Sequence, residues 1–379
     1  MTPTVAVERC ASYEESAVES SVSKALTDLG GMEKFVKKGD RVLLKINLLS
    51  ASDPDKAITT HPSVVKALAK EVQAAGGIAI IADSPGGPFT SRMLESAYKK
   101  SGMTAVAEQT GATLNYNTGS KKASYPEAKL AKRLDVISLL DEVDVVISVP
   151  KLKTHMLTKF TGATKILFGV VPGITKPAYH LKFAEIDRFC DMLLDVLGYV
   201  KPSLSIMDGV VGIEGDGPGA GGTPKNAGLI LASEDSIALD VVAISIIGMD
   251  LEDVPILKRA KERGLTSGDL SDINIVGEKV DDVKVKFKQP AAGGGMMNKL
   301  LSYKPFRGLL LWATVPYPSA NKNCIKCGIC RQNCPADAIT ITDKAHMNLS
   351  KCIRCYCCHE LCPHKAVDLK SRFGWMRRK

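Results

Sequence analysis

CIKCGICRQNCP at residues 324–335 and CIRCYCCHELCP at residues 352–363 are two copies of one cysteine pattern, C-x2-C-x2-C-x3-C-P. Thiolates are soft ligands that suit iron–sulfur clusters, and the close spacing lets one short turn present three sulfurs to one cluster. The proline after each last cysteine ends the local helix and fixes the turn. The doubled pattern therefore predicts two [4Fe–4S] clusters.

The fourth cysteine of each copy is expected to bind the cluster of the other copy, because this crossing accompanies the same spacing in two-cluster bacterial ferredoxins. The predicted ligands of cluster one are Cys324, Cys327, Cys330 and Cys362, and those of cluster two are Cys352, Cys355, Cys358 and Cys334. Cys357 lies off the pattern and is predicted to be a free thiol. Cys10 and Cys190 are isolated and are predicted to be small buried hydrophobic residues.

Other uses of these cysteines fit the sequence less well. A zinc ribbon needs two C-x2-C pairs, whereas this pattern repeats four regularly spaced thiols twice. A disulfide framework is typical of short secreted chains, but this chain has 379 residues, and nine of its eleven cysteines lie at or beyond residue 324. The rest of the chain therefore resembles an ordinary protein of a reducing compartment.

The composition bounds the size and location of the protein. With 379 residues and 45% hydrophobic content, the chain can bury a sizeable core and is predicted to form two domains. The opening MTPTVAVERC lacks the charged and apolar regions of an export signal, so none is expected. No run of uncharged apolar residues is long enough to suggest a membrane span. These features predict a cytoplasmic protein.

The net charge of +9 is concentrated in the cysteine-rich part of the chain. Residues 321–379 carry 12 Lys or Arg against 4 Asp or Glu, so they contribute +8 of the total. Bound clusters would offset part of this excess. The basic tail KSRFGWMRRK at 370–379 suits an acidic redox partner protein or an anionic lipid surface, and a merely solubilising tail is equally open. Nucleic acid is not expected, because no binding motif accompanies the charge.

Apolar runs alternate with helical patterns through the first 290 residues. RVLLKINL at 41–48 has the continuous hydrophobicity of a buried parallel strand. A helix is predicted to start at His61-Pro62, where proline is tolerated, and to end before Gly76-Gly77. A second strand is predicted at 78–82. Strand, helix and strand in this rhythm indicate a βαβ unit and a parallel sheet.

The predicted fold class is α/β, with a mostly parallel sheet flanked by helices, followed by a small ferredoxin-like α+β domain with two clusters. The predicted boundaries are 1–290 for the α/β domain, 291–320 for a linker and 321–379 for the two-cluster domain with its basic tail. Within this region the apolar, proline-broken stretch 296–318 is predicted to pack the two domains together, with membrane contact as the alternative.

Further elements follow from the same patterns. Helices are predicted at 14–29, 236–247 and 253–263, and strands at 4–8, 143–149, 203–207, 229–232, 273–276 and 283–287. The glycine-rich stretch VVGIEGDGPGAGGTPK at 210–225 is predicted to be a loop. It could hold an anion through backbone N–H groups, or Glu214 and Asp216 could reach a site, or it could be a flexible surface loop.

Polar residues follow or end the predicted parallel strands, whose carboxyl ends meet at one edge of the sheet. Lysines at this edge would suit a carboxylate or phosphate, and histidine titrates near neutral pH and can move a proton. The alternative to a binding site is a solvent-exposed basic surface with a histidine that caps a helix. The predicted ligand-binding residues are Lys45, Asn47, His61, Asp83, Lys151, Lys153 and Asp208, and the predicted catalytic residues are His155, Lys165 and His180.

The chain resembles the family known as domain of unknown function 362 in six stretches: LLKINL, TTHPSVVKAL, IADSPGG, VPKLKTHMLTKFTGATKILFGVVPG, SIMDGVVGIEGDGPG and SEDSIALD. Members of that family often carry a C-terminal two-cluster ferredoxin. The resemblance implies an α/β fold and an iron–sulfur protein, but no defined activity. Ile166 stands where the family pattern leads us to expect an asparagine.

A shorter stretch, Phe160–Gly173, resembles the lactate racemase family, which binds a nickel-pincer nucleotide through a lysine. The resemblance implies that Lys165 would be the tethering lysine, with His155 and His180 as candidates for metal ligation or proton transfer. The second glycine of the motif is replaced by Ala163 here.

Three functional classes follow. The first is a ferredoxin-dependent oxidoreductase that passes electrons from two clusters to an anionic substrate or cofactor in the α/β domain. The second is an electron carrier or adaptor without its own substrate, although such a carrier has no need of a large domain with polar strand ends. The third is an enzyme related to racemases or epimerases. The first is the predicted function, although no flavin or nicotinamide fingerprint is visible.

Overall fold

The computed structural model describes residues 2–291 and 315–370. Its strands are β1 (Thr4–Arg9), β2 (Arg41–Ile46), β3 (Ile78–Ala82), β4 (Thr113–Leu114), β5 (Ser120–Ser124), β6 (Arg133–Ile137), β7 (Val145–Val149), β8 (Lys151–His155), β9 (Lys159–Phe160), β10 (Leu204–Gly215), β11 (Gly222–Ser233), β12 (Asn274–Gly277), β13 (Tyr317–Ala320), β14 (Ile339–Ile341), β15 (Ala345–Met347) and β16 (Val367–Lys370). Its helices are α1 (Glu15–Asp28), α2 (Pro62–Ala74), α3 (Ser91–Lys100), α4 (Met103–Thr110), α5 (Ala163–Ile166), α6 (Lys176–Lys182), α7 (Ile186–Val200), α8 (Ser236–Ile246), α9 (Pro255–Glu262), α10 (Ile329–Gln332) and α11 (Cys357–Glu360).

The main sheet has the strand order β12-β1-β11-β10-β7-β2-β3-β4, and β8 pairs with both β10 and β9. Strands β2, β3, β4 and β7 run parallel to their neighbours, as does β10 to β7. Strand β11 is antiparallel to both β1 and β10. The sheet is therefore mixed but mostly parallel, with helices on its faces, which confirms the predicted α/β class for this part of the chain.

The alternation of side chains along β2 explains why helices cover both faces of the sheet. Val42 and Leu44 pack into the cluster that contains α1 and α2 side chains. Leu43 lies in the opposite cluster, with side chains of α7 and α8. At the start of α2 the His61 ring accepts a hydrogen bond from the backbone N–H of Ser63, and Pro62 occupies the first helical turn. The predicted strand–helix–strand unit is confirmed.

The stretch 210–225 is a hairpin, so the predicted loop is wrong. Strands β10 and β11 pair from Ser205 and Ser233 to Gly215 and Gly222, with a register shift after Gly209. The glycines serve close packing there. A Cβ on Gly212 would lie 2.7 Å from the Leu152 carbonyl oxygen of β8.

The predicted strand at 283–287 is also wrong. A 3-10 turn ends at Val283, and Phe287 is buried without a strand partner among the described residues. The backbone N–H groups of Val285 and Phe287 donate to the carbonyls of Ile246 and Ile247 at the end of α8. The apolar alternation therefore reflects packing against a helix end.

The C-terminal module, residues 315–370, contains two small antiparallel pairs, β13 with β16 and β14 with β15. Helices α10 and α11 carry or adjoin the cysteines. Residues 292–314 and 371–379 lie outside the described residues, and so do most of the predicted linker, most of the apolar stretch 296–318 and nearly all of the basic tail. The domain boundaries stay a prediction. Over the described ranges, no helix is long and apolar enough to cross a membrane.

Candidate functional site

A cavity of about 100 Å³ lies where the sheet edge meets the C-terminal module. The α/β part supplies most of its walls, including the loops after β2 and β3 and helices α5 and α6. The polar side chains that line it are Asn47, Asp83, Ser84, Lys153, Thr161, Lys165, Lys176, His180, Asn333, Cys357 and Glu360. Of the ten residues predicted for the α/β site, Asn47, Asp83, Lys153, Lys165 and His180 therefore share this cavity.

Lys45 lies beneath the cavity wall and does not line it. Its Nζ is 2.9 Å from Asp83 Oδ1, and both side chains are almost fully buried. The Asp83 carboxylate also accepts the backbone N–H groups of Leu48 and Ser84, at 2.7 Å each. A Cβ on Gly169 would stand 2.1 Å from Asp83 Oδ1. A side chain at Gly169 would therefore clash with the buried Lys45–Asp83 pair.

Three lysines give the cavity its positive charge. Lys153 donates to the Asn47 side chain and to the Ile58 carbonyl, and Lys176 donates to the Ser84 carbonyl. Burial lowers the pKa of Lys153 to about 7 and that of Lys176 to about 8. Burial also lowers the pKa of Lys165. Since desolvated ammonium groups gain from a counter-ion, these lysines favour an anionic ligand.

His155 points from β8 toward the C-terminal module. Its Nδ1 accepts the backbone N–H groups of Leu157 and Thr158, at 3.0 and 3.2 Å, so the neutral ring carries its proton on Nε2. Within the described residues Nε2 has no hydrogen-bond partner, and it lies 3.7 Å from Glu360 Oε2. Burial, and then the nearby cation of Lys165, hold the pKa of His155 well below its usual range.

His180 on α6 is a buried, neutral imidazole. It stacks on Phe189 at 4.5 Å between ring centroids, and burial lowers its pKa to about 3. Such a ring can accept a proton only at a large free-energy cost, so its first role in the cavity is as a neutral hydrogen-bonding surface.

Lys151, Asp208 and His61 form a separate network, so the expectation that they line the same cavity is wrong. Lys151 Nζ is 2.8 Å from Asp208 Oδ2, and both side chains are fully buried. The Tyr13 hydroxyl contacts both groups, and its ring stacks on His61 at 3.5 Å. This network satisfies its own charges. Lys151, Lys153 and His155 are alternate residues of β8 and lie on one face of that strand. Along the strand they reach this network, the cavity and the C-terminal module in turn.

Asp240 of α8 positions the segment that carries Lys165. Its buried carboxylate accepts the backbone N–H groups of Ala163 and Thr164, the latter at 2.9 Å, at the start of α5. A Cβ on Gly162 would lie 1.9 Å from Asp240 Oδ1. The FTGATK stretch thus folds over a carboxylate from a distant helix.

The predicted ligands of cluster two lie together. Cys334, Cys352, Cys355 and Cys358 line one small cavity of the module with apolar neighbours such as Ile339 and Met347. A thiolate set in an apolar shell fits a [4Fe–4S] cluster, because sulfur is its preferred protein ligand.

The predicted ligands of cluster one also lie together. After burial, the groups that raise the pKa of Cys330 are the thiols of Cys327, Cys324 and Cys362. Cys362 belongs to the second copy of the motif and yet lies near Cys330 of the first; the crossed ligand assignment stays a prediction. Over residues 2–291 and 315–370, no group of His, Cys, Asp or Glu side chains is arranged around a single metal ion. A four-iron cluster instead places each thiolate on a separate iron.

Cys357 lines both cavities, the one between the four thiols and the one at the sheet edge. Its side chain is buried, and its neighbours in the cavity of the module include Cys355 and Cys358; that it is a free thiol stays a prediction. Cys10 and Cys190 are buried, which confirms their predicted packing role.

Sequence reasoning did not identify the cavity residues of the module, Asn333, Cys357, Glu360 and Leu361, or the network residue Tyr13. Glu360 lies between two predicted ligands, Cys358 and Cys362, and its spacing gives no signal of its own. Lys176 is one of several lysines, with Lys151, Lys153, Lys165 and Lys182, and its spacing does not set it apart from the others.

Residues 42–245 match the family model "Domain of unknown function (DUF362)". The thylakoid-associated protein sll1697 of Synechocystis sp. is 36% identical over 266 residues, which cover 70% of this chain and 81% of that protein.

Two solved structures are similar at lower identity. The lactate racemase apoprotein from Thermoanaerobacterium thermosaccharolyticum is 13% identical with a TM-score of 0.41, covering 67% of this chain and 58% of that chain. A Thermotoga maritima protein is 16% identical with a TM-score of 0.35, covering 60% and 57%. This chain therefore spans less than two thirds of either structure. Because the family model covers more than half of the sequence, the chain belongs to the DUF362 family.

Proposed function

We propose that this protein is an iron–sulfur oxidoreductase, in which two [4Fe–4S] clusters of the C-terminal module pass electrons to an anionic molecule bound in the cavity. The clusters would supply one-electron transfer when bound. Cys324, Cys327, Cys330 and Cys362 would hold one of them, and Cys352, Cys355, Cys358 and Cys334 the other.

The position of Cys357 carries this proposal. Its side chain lies on a wall shared by the thiol cavity of cluster two, which Cys355 also lines, and the ligand cavity. A bound molecule would therefore be separated from cluster two by little more than one side chain. A carrier that serves only external partners has no use for such a cavity, which favours the oxidoreductase over the adaptor.

The α/β part would bind and orient the anion. Lys153, Lys165 and Lys176 would hold its charged group, and neutral His180 would supply a hydrogen bond. The cavity is small, so the ligand is a compact carboxylate, phosphate or similar anion. Electrons would come from a redox partner protein, with an acidic surface to match the basic module, in the cytoplasm or at the inner face of a membrane.

Replacing Lys165 with alanine tests the anion site. Sulfate binding to the full-length, anaerobically purified protein is expected to weaken about tenfold or more, because a buried charge-assisted contact is lost. Lys182→Ala removes an exposed lysine nearby and should leave the affinity unchanged. Isothermal titration calorimetry measures both. Equal affinities for wild type, Lys165→Ala and Lys182→Ala would contradict the site.

Anion binding should also depend on pH. In the ligand-free cavity Lys153 has a pKa of about 7 and Lys176 of about 8, and a bound anion favours their charged forms and raises both values. Binding therefore takes up protons, so affinity is greatest below pH 7 and falls as the pH rises. We expect a loss of about tenfold per pH unit for each proton taken up. Sulfate stays a dianion over pH 6–9, so its titration isolates the lysines. A flat profile would show that they do not contact the ligand.

A racemase-like enzyme is the second candidate, because Lys165 and His180 share the cavity and the pKa of Lys165 is lowered. A lysine of lowered pKa is a better nucleophile than an ordinary lysine and would be able to tether a cofactor. The mass of the intact protein separates the candidates. A covalent addition on Lys165, absent from Lys165→Ala, would support the racemase-like enzyme, and an unmodified wild-type mass supports the oxidoreductase.

A further inference from the structure

We propose that Glu360, from the C-terminal module, determines the specificity of the cavity, and that the ligand carries an ammonium or similar donor group beside its anionic group. This inference rests on the anion site proposed above. It adds a requirement that the lysines alone do not impose.

Glu360 is the carboxylate in the cavity lining that is available to pair with a ligand. Asp83, the other acidic side chain in the lining, is already held by Lys45 and by two backbone N–H groups. Glu360 makes no salt bridge with a lysine or arginine among the described residues, and its Oε2 lies 3.7 Å from Nε2 of the neutral His155. Its side chain is 15% exposed, so its charge is poorly solvated.

The cavity lining combines the positive charges of the lysines of the α/β part with the negative charge of Glu360 from the module. Glu360 is the largest favourable charge acting on both Lys153 and Lys165. A simple anion would pair with the lysines, but it would also lie close to the Glu360 carboxylate, which repels it. A ligand with both an anionic end and a positive donor satisfies both sets, because the donor pairs with Glu360 while the anion pairs with the lysines.

The module holds Glu360 in place through close contacts with the α/β part. A Cβ on Gly219 would lie 2.5 Å from the Glu360 carbonyl oxygen, and one on Gly221 would lie 2.3 Å from His359 Nε2. That histidine nitrogen is 3.2 Å from the Asp216 carbonyl. A Cβ on Gly86 would likewise lie 2.7 Å from the Leu361 side chain. The tip of the β10–β11 hairpin therefore packs against the end of helix α11, which carries Glu360.

The test compares two probes that differ by one ammonium group, propionate and β-alanine. For the full-length, cluster-loaded protein, we expect β-alanine to bind about tenfold more tightly than propionate, since a charge-assisted hydrogen bond is gained. Glu360→Gln keeps the shape of the side chain and should reduce the ratio to about one. Asp343→Asn removes an exposed acid of the same module and should leave the ratio unchanged.

A second variant tests the seating. Gly219→Ala adds a methyl group against the Glu360 backbone, outside the cavity lining, and should also reduce the ratio toward one. An unchanged ratio in Glu360→Gln, or a wild type that prefers propionate, overturns this inference while leaving the anion site intact. A wild type that binds neither propionate nor sulfate overturns the anion site and this inference together.

Discussion

Replacing Asp83 with alanine is expected to lower the free energy of unfolding by about 3–5 kcal/mol, because it leaves the Lys45 ammonium buried without its partner. The change also leaves the backbone N–H groups of Leu48 and Ser84 without their acceptor. Chemical denaturation of the anaerobic protein, followed by the circular dichroism of the α/β part, measures the loss.

Two controls define the cause of that loss. Lys45→Met combined with Asp83→Ala removes both charges, and we expect the double variant to be more stable than Asp83→Ala alone. Asp281→Ala breaks an ion pair with Lys284 at the surface, where water screens both charges, and should have little effect. A double variant less stable than Asp83→Ala would contradict a buried, mutually dependent pair.

Replacing Cys362 with alanine is expected to remove or damage cluster one, the cluster of the other motif copy. Cys362 lies near Cys330, as Cys324 and Cys327 do, although it follows the three ligands of cluster two in sequence. Each iron of the cluster needs its own thiolate, so the loss of one ligand exposes one iron. Electron paramagnetic resonance of the reduced variant should show the signal of one intact cluster and a lost or altered second signal.

The matched variant for this crossing is Cys358→Ala, which should damage cluster two and leave cluster one. Adding Cys327→Ala to each background identifies which cluster remains. With Cys362→Ala the second change should cost no further intact cluster, and with Cys358→Ala it should remove the last one. If the Cys362→Ala, Cys327→Ala double variant also lost both clusters, each motif copy would bind its own cluster with all four of its cysteines, which would contradict the crossing.

The sequence predicted the sheet well where strand and helix signals agree. RVLLKI, the proline-started helix α2 and IAIIA are each bounded by residues with a local physical role, such as Pro62 at the start of α2 and Gly76 at its end. The hairpin at 210–225 was missed because its glycines resemble a loop. Gly212 and Gly217 allow the close approach of β8, and Gly219 and Gly221 that of the C-terminal module, and no local pattern reports contacts so distant in sequence.

The candidate site was predicted in part for the same reason. The positions of the predicted strand ends correctly placed Asn47, Asp83 and Lys153 at one edge of the sheet. They also suggested Lys151 and Asp208, whose pairing with each other depends on side-chain direction and on Tyr13. The contribution of Glu360 depends on how the C-terminal module seats on the hairpin, which is a tertiary contact between stretches more than 100 residues apart.

The most direct test of the central claim is the content of iron and acid-labile sulfide in protein purified without oxygen. Eight predicted thiolate ligands in two sets of four imply two [4Fe–4S] clusters, so we expect about eight iron atoms and about eight sulfides per chain. Full occupancy by zinc, with no acid-labile sulfide, would contradict the iron–sulfur assignment and the electron-transfer function that depends on it.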